Sequence, residues 1–278
     1  MLLAYHKETL VGFEKPSEMI RAMNVCIIVA NSNFTQSDST KQKEVPMEEN
    51  ISQAMELKKT LTNHYNFKEE HVTILQDQTK DEMEELFRQL KKIDLSEYYS
   101  QSGVSKINLT LVVLSHGSMD NYLVTSDGQE FDIADAVLDL NKLERFDEYV
   151  QDFLYIEDIC YGSFSKDKTT RGHLVNVNVA HNFCRYASKQ TKVGVMSSLD
   201  GNKVQAYAFI KGLNKALYEN KDASVLTLEH LITKMLDAEY IKGLPLLINL
   251  NPSIGETKAQ KSIYLYTDKY LHEKDEKN

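Results

Sequence analysis

Four prolines in 278 residues leave few natural linkers, and no internal repeat or low-complexity tract divides the chain. A single α/β domain over roughly residues 20–270 is therefore the simplest organisation. No apolar run approaches the roughly 20 residues a membrane-spanning helix needs; the longest, such as Val25–Ala30 and Leu244–Leu250, are strand-length. The first residues, "MLLAYHKETLVGF", lack the basic segment, apolar core and cleavage site of a secretion signal, so a soluble cytoplasmic protein is expected. Three cysteines, Cys26, Cys160 and Cys184, are too few and too odd in number for a disulfide framework, and read as reduced thiols. The 32 basic residues against 41 acidic ones give a net charge of -9, with no dense Lys/Arg cluster to follow a phosphate backbone. Nucleic acid is not an expected partner. At 42% hydrophobic, the chain can nonetheless bury a substantial core.

What is present is an alternation of strand-like and helix-like segments. "NVCIIVAN" reads as a strand, "MEENISQAMELKKTLTNHYN" as a helix with apolar positions Ile51, Met55, Leu57 and Leu61, and "HVTILQ" as the next strand. "KDEMEELFRQLKKI" is amphipathic through Met83, Leu86, Phe87 and Leu90, and "INLTLVVLS" is a further buried strand. "FDIADAVLDLNKL" predicts a helix and "FLYIED" a strand. Beyond them lie "KVGVMSS", helices near 204–219 and 226–238, and a strand in "LPLLINLN". Such alternation predicts a mostly parallel sheet with helices on both faces.

In open α/β sheets, chemistry gathers beyond the carboxyl ends of the strands. Two ends carry reactive groups: "LTLVVLSHGSMDN" delivers Ser115, His116 and Gly117, and "FLYIEDICYGSFS" delivers Glu157, Asp158 and Cys160. A cysteine at a strand end is usually a small hydrophobe, and a lone histidine there is usually structural. Should the two strands be neighbours, however, an imidazole and a thiol meet at one sheet edge. That pair suits a thiol protease, in which a base maintains the nucleophilic thiolate and protonates the leaving amine. Glycines follow both residues, at Gly117 and Gly162, where a substrate backbone would come close.

These residues resemble the caspase-like cysteine proteases, the clan of caspases, metacaspases and paracaspases. Caspases carry Q-A-C-[RQG]-G with a histidine about 50 residues upstream; here D-I-C-Y-G follows S-H-G at a similar distance. The resemblance implies a three-layer sandwich around a largely parallel six-stranded sheet. It makes Cys160 the nucleophile, His116 the general acid and base, and the backbone N–H groups of Gly117 and Cys160 the oxyanion hole. It also implies an N-terminal segment (1–22), a catalytic domain (23–270) and a charged tail (271–278). The domain divides into a large-subunit-like part (23–165), a linker (166–191) and a small-subunit-like part (192–270). A homodimer, as in caspases, is a further implication.

The departures bear on specificity. Caspases cut after aspartate using two arginines and the motif glutamine. This chain has only Arg21, Arg88, Arg145, Arg171 and Arg185, none in the loop after the first strand or after "KVGVMSS". Asp158 stands where the glutamine would be, as in metacaspases and paracaspases, and "SSLDGNK" places Asp200 where metacaspases put a second pocket carboxylate, although Asp-Gly is first a turn signal. An acidic pocket attracts a cation, so cleavage after Arg or Lys is expected, with self-processing after Lys166, Lys168 or Arg171. Tyr161 in place of the motif arginine has no counterpart in this reading.

Glu157 is expected to solvate the sheet edge or pair with a lysine, and Cys26 to pack in the core. Cys184, His173 and His181 show no zinc spacing, and no EF-hand loop is present, so no cofactor or metal site is expected; the resemblance leaves calcium activation open. Protein or peptide substrates are the expected partners, and no membrane. Loss of the caspase arginines also suits an inactive homologue serving as decoy or scaffold; retention of both His116 and Cys160 favours the enzyme. A flavodoxin-like binding domain is disfavoured, since no strand exit carries a Gly-rich phosphate loop.

Overall fold

Strands buried on both faces need continuous apolar runs, and three such runs form the centre of the molecule. The computed structural model describes residues 22–35, 47–94, 106–118, 122–141, 143–160, 192–197, 207–223, 225–227, 230–231, 234–235, 247–250 and 264–266. In chain order the strands are β1 (Ala22–Ala30), β2 (Val72–Gln76), β3 (Lys106–His116), β4 (Leu123–Val124), β5 (Glu130–Phe131), β6 (Val150–Cys160), β7 (Lys192–Ser197), β8 (Val225–Thr227), β9 (Leu247–Leu250) and β10 (Tyr264–Tyr266). The helices are α1 (Glu49–His64), α2 (Lys80–Leu90), α3 (Ile133–Asn141), α4 (Glu144–Tyr149) and α5 (Ala208–Glu219).

Among the described residues, six strands form one sheet in the order β2-β1-β3-β6-β7-β9. All neighbours are parallel except β9, which runs antiparallel to β7. The expected α/β architecture is therefore present. Side-chain alternation along β3 and β6 sorts the core into two layers. Val112, Leu114, Leu154 and Ile156 face Ala54, Leu57 and Leu61 of α1 and Ile210, Leu213 and Leu217 of α5. Leu111, Val113, Phe153 and Tyr155 face α2, α3 and α4 through Met83, Phe87, Val137 and Phe146.

Local chemistry sets several of these elements. Thr79 opens α2 with a capping box: its hydroxyl accepts the Glu82 amide at 3.3 Å, and the Glu82 carboxylate accepts the Thr79 amide at 2.8 Å. The α2 stripe read from the sequence is the buried face, with Met83, Phe87 and Leu90 in the core. On α1, Leu57 and Leu61 of the expected stripe are buried and Ile51 packs against the core, but Met55 is 53% exposed, and Gln53 and Ala54 point inward in its place. There Asn214 of α5 donates to the Gln53 side chain at 3.0 Å, and the Tyr65 hydroxyl donates to the Leu217 carbonyl at 2.6 Å, joining the two helices.

Two further departures have simple causes. The helix expected near 226–238 is present at residues 230–231 and 234–235 but begins later than expected. Residues Val225–Thr227 instead pair antiparallel with Tyr264–Tyr266, a partner that local periodicity cannot reveal. The β4–β5 ribbon escapes a periodicity search because each strand has two residues; Gly128, at φ 73, allows its left-handed turn. Among the described residues, no helix is long and apolar enough to cross a membrane.

Candidate functional site

His116 is the last residue of β3 and Cys160 the last of β6, and the parallel register pairs them directly, His116 with Cys160. The same ladder pairs Leu114 with Asp158 and Val112 with Ile156, so the two strands end level at the carboxyl edge of the sheet. The strand-end histidine and cysteine singled out from the sequence are thus brought together. Beyond His116 the chain turns back: Gly117 forms an isolated bridge with Leu123, and the Ser118 amide donates to the Tyr122 carbonyl at 2.8 Å. Ser115, on the opposite face from His116, is fully buried. Its hydroxyl donates to the Val124 carbonyl at 2.7 Å and accepts from the Asn31 side chain at 3.2 Å.

Asp158 is 9% exposed, and its Oδ2 accepts the backbone N–H of Ile210 at 3.2 Å. This amide belongs to the first turn of α5, one of the donors that a helix cannot satisfy internally. The residue preceding α5, Tyr207, lies in the left-handed region at φ 70, uncommon for a bulky side chain. Its carbonyl accepts the Lys211 amide at 3.0 Å, and the Lys211 ammonium lies 5.5 Å from its ring while pairing with Glu49 of α1. The start of α5 is therefore held by side chains from β6 and α1. Nothing local in "AYAFIKG" marks Asp158 as its cap.

Glu157 departs from its expected place at a solvated edge. It is 5% exposed, because β6 lies inside the sheet, and its carboxylate accepts the Tyr155 hydroxyl at 2.7 Å. Cys26 packs in the core as expected, fully buried, and that burial pushes its thiol far up.

A polar group that the sequence reading did not single out supports the site from the side. Asp77, at φ 49 just after β2, accepts the amides of Ser32 and Asn33 through Oδ1 at 2.7 and 2.9 Å, and the Asn33 side chain through Oδ2 at 2.8 Å. Burial pushes its carboxyl up, but these hydrogen bonds outweigh that and hold it below the ordinary aspartate value. The only local signal was an aspartate immediately after a strand. Its partners come from a different strand exit.

Asp200, Lys166, Lys168, Arg171, Tyr161, Gly162, His173, His181 and Cys184 lie outside the described residues. Among the described residues, no group of three His, Cys, Asp or Glu side chains could hold a metal ion.

The crystal structure of caspase-1 from Spodoptera frugiperda is similar to this chain, with a TM-score of 0.50 at 15% identity over 78% of this chain and 76% of that one. At that identity the likeness concerns the fold. No curated protein matches the sequence. The caspase domain family matches residues 23–239, which include both strand ends and most of the sheet. By that match, the chain belongs to the caspase domain family, a family of cysteine peptidases.

Proposed function

We propose that this protein is a cysteine endopeptidase in which Cys160 is the nucleophile and His116 the general base and acid, cutting after Arg or Lys. The observation that carries the reading is the register pairing of His116 with Cys160 at the carboxyl ends of two adjacent parallel strands. In the first step His116 takes the thiol proton and the sulfur bonds to the scissile carbonyl carbon. The oxygen becomes an oxyanion, which the backbone N–H groups of Gly117 and Cys160 would hold. Collapse breaks the C–N bond, and His116 returns the proton to the leaving amine. Water, deprotonated by His116, then attacks the thioester, releasing a carboxylic acid and restoring the thiol.

Specificity for a cationic residue rests on Asp158, with Asp200 as a second carboxylate, and on the lack of arginine in the two loops where caspases place theirs. On this reading the chain is nearer metacaspases and paracaspases than Asp-specific caspases. Self-processing would fall after Lys166, Lys168 or Arg171, between a large-subunit-like part (23–165) and a small-subunit-like part (192–270). A reducing cytoplasmic setting keeps Cys160 as a thiol. A homodimer is part of the same proposal, as is the absence of a required cofactor.

The test compares wild type with Cys160→Ala and His116→Ala on fluorogenic peptides ending in Arg, Lys or Asp, with and without calcium. Cleavage after Arg or Lys that both substitutions abolish supports the reading. Cleavage after Asp alone overturns the acidic pocket. No cleavage by folded protein under either condition overturns the peptidase and favours a scaffold.

A further inference from the structure

Residues 31–35 leave β1 without regular structure, so their backbone groups need partners from elsewhere. They find them on three sides. The Asn31 amide continues the ladder to the Leu114 carbonyl at 3.0 Å, and the Asn31 carbonyl accepts the Asn50 side chain of α1 at 2.7 Å. The Asn33 amide donates to Asp77, and the Thr35 amide donates to the Ser126 carbonyl at 2.7 Å. Phe34 therefore sits between two anchored amides. The anchors are themselves joined, since the Ser126 hydroxyl donates to the Asp77 carbonyl at 2.7 Å and the Ser126 amide to the Gln78 carbonyl at 2.9 Å. The seat holds the half-buried Phe34 ring against the His116 imidazole, with centroids 4.7 Å apart and planes tilted by 49°.

We propose that Phe34 is a positioning residue for His116, seated by a two-point clamp in which Asp77 fastens the chain just before Phe34 and Ser126 the chain just after it. The proposal rests on the peptidase reading of His116. A base that must take a proton from one atom and return it to another depends on a fixed ring orientation, and a packed aromatic neighbour removes alternative rotamers. Phe34 acts through His116 and has no bond-making role. Asp77 and Ser126 act one step further out, through the loop.

Two readouts test it. In steady-state cleavage, Phe34→Ala lowers kcat about tenfold with KM within about twofold of wild type, and Phe34→Tyr, which keeps the ring, recovers the rate. In proton–carbon NMR of the full chain, the His116 ring signals, assigned by their loss in His116→Gln, carry a ring-current shift from Phe34. That shift disappears in Phe34→Ala and weakens in Asp77→Asn. Phe34→Leu provides the same NMR readout should the alanine variant fail to fold. Wild-type kcat in Phe34→Ala, or His116 signals unmoved in Phe34→Ala or Phe34→Leu, overturns the proposal. If wild type shows no cleavage at all, the peptidase reading fails, and the NMR arm alone decides the clamp.

Discussion

Asp158 Oδ2 accepts the backbone N–H of Ile210 at 3.2 Å, tying the end of β6 to the first turn of α5, 52 residues further along the chain. One carboxylate thus stands two residues before Cys160 and also caps a helix of the neighbouring layer. The two roles are separable by substitution. Asp158→Ala removes the cap and lowers stability by about 1–2 kcal/mol in urea unfolding. Asp158→Asn keeps an accepting oxygen and most of that stability, but lowers kcat/KM for Arg and Lys peptides if the charge serves the substrate. Equal loss of stability in both variants would remove the capping role.

The Asp77 clamp is pH-dependent in a defined direction. Its folded-state pKa is depressed below the ordinary value of 3.8, so its stabilisation is fully present above that value and is lost as pH falls through the lower folded-state value. Asp77→Asn is therefore most destabilising relative to wild type near neutrality, and the gap narrows below about pH 4. Denaturant midpoints of both proteins at pH 7 and pH 3 measure it. A gap of constant size would show that the charge is not what holds residues 32 and 33.

Tyr155→Phe takes a 2.7 Å donor from the buried Glu157 carboxylate and leaves the ring volume intact. A loss of about 1 kcal/mol is expected, the ordinary net contribution of one buried hydrogen bond. Glu157→Gln in the Tyr155→Phe background recovers part of it, since a neutral amide is less costly to bury. Thermal denaturation of the single and double variants gives the coupling.

Thr79→Ala removes the side-chain half of the α2 capping box and lowers stability by about 1 kcal/mol, while Thr79→Ser retains it. Equilibrium unfolding of the two variants checks this. Matching losses would mean that the hydroxyl contributes nothing at this end.

The parts of this protein that could be read along the chain are those with local causes. The runs at β1, β3 and β6 are continuous because both faces are buried. The Met83-Phe87-Leu90 stripe has the helical period. What escaped had its cause elsewhere in space. Val225–Thr227 became a strand through Tyr264–Tyr266, Met55 turned outward because α5 took up Gln53 and Leu57's side of α1, and Glu157 was buried because β6 sits inside the sheet.

The sequence by itself determined that a histidine and a cysteine each end an apolar strand, since burial and alternation are written in consecutive residues. Only the tertiary structure decided that these strands are neighbours in a register placing His116 beside Cys160, that Asp158 meets α5, and that Asp77 and Ser126 seat Phe34 on the imidazole. Strand order and loop anchoring follow from satisfying backbone groups and covering both sheet faces at once. Those conditions join residues far apart in the chain, and no local pattern records them.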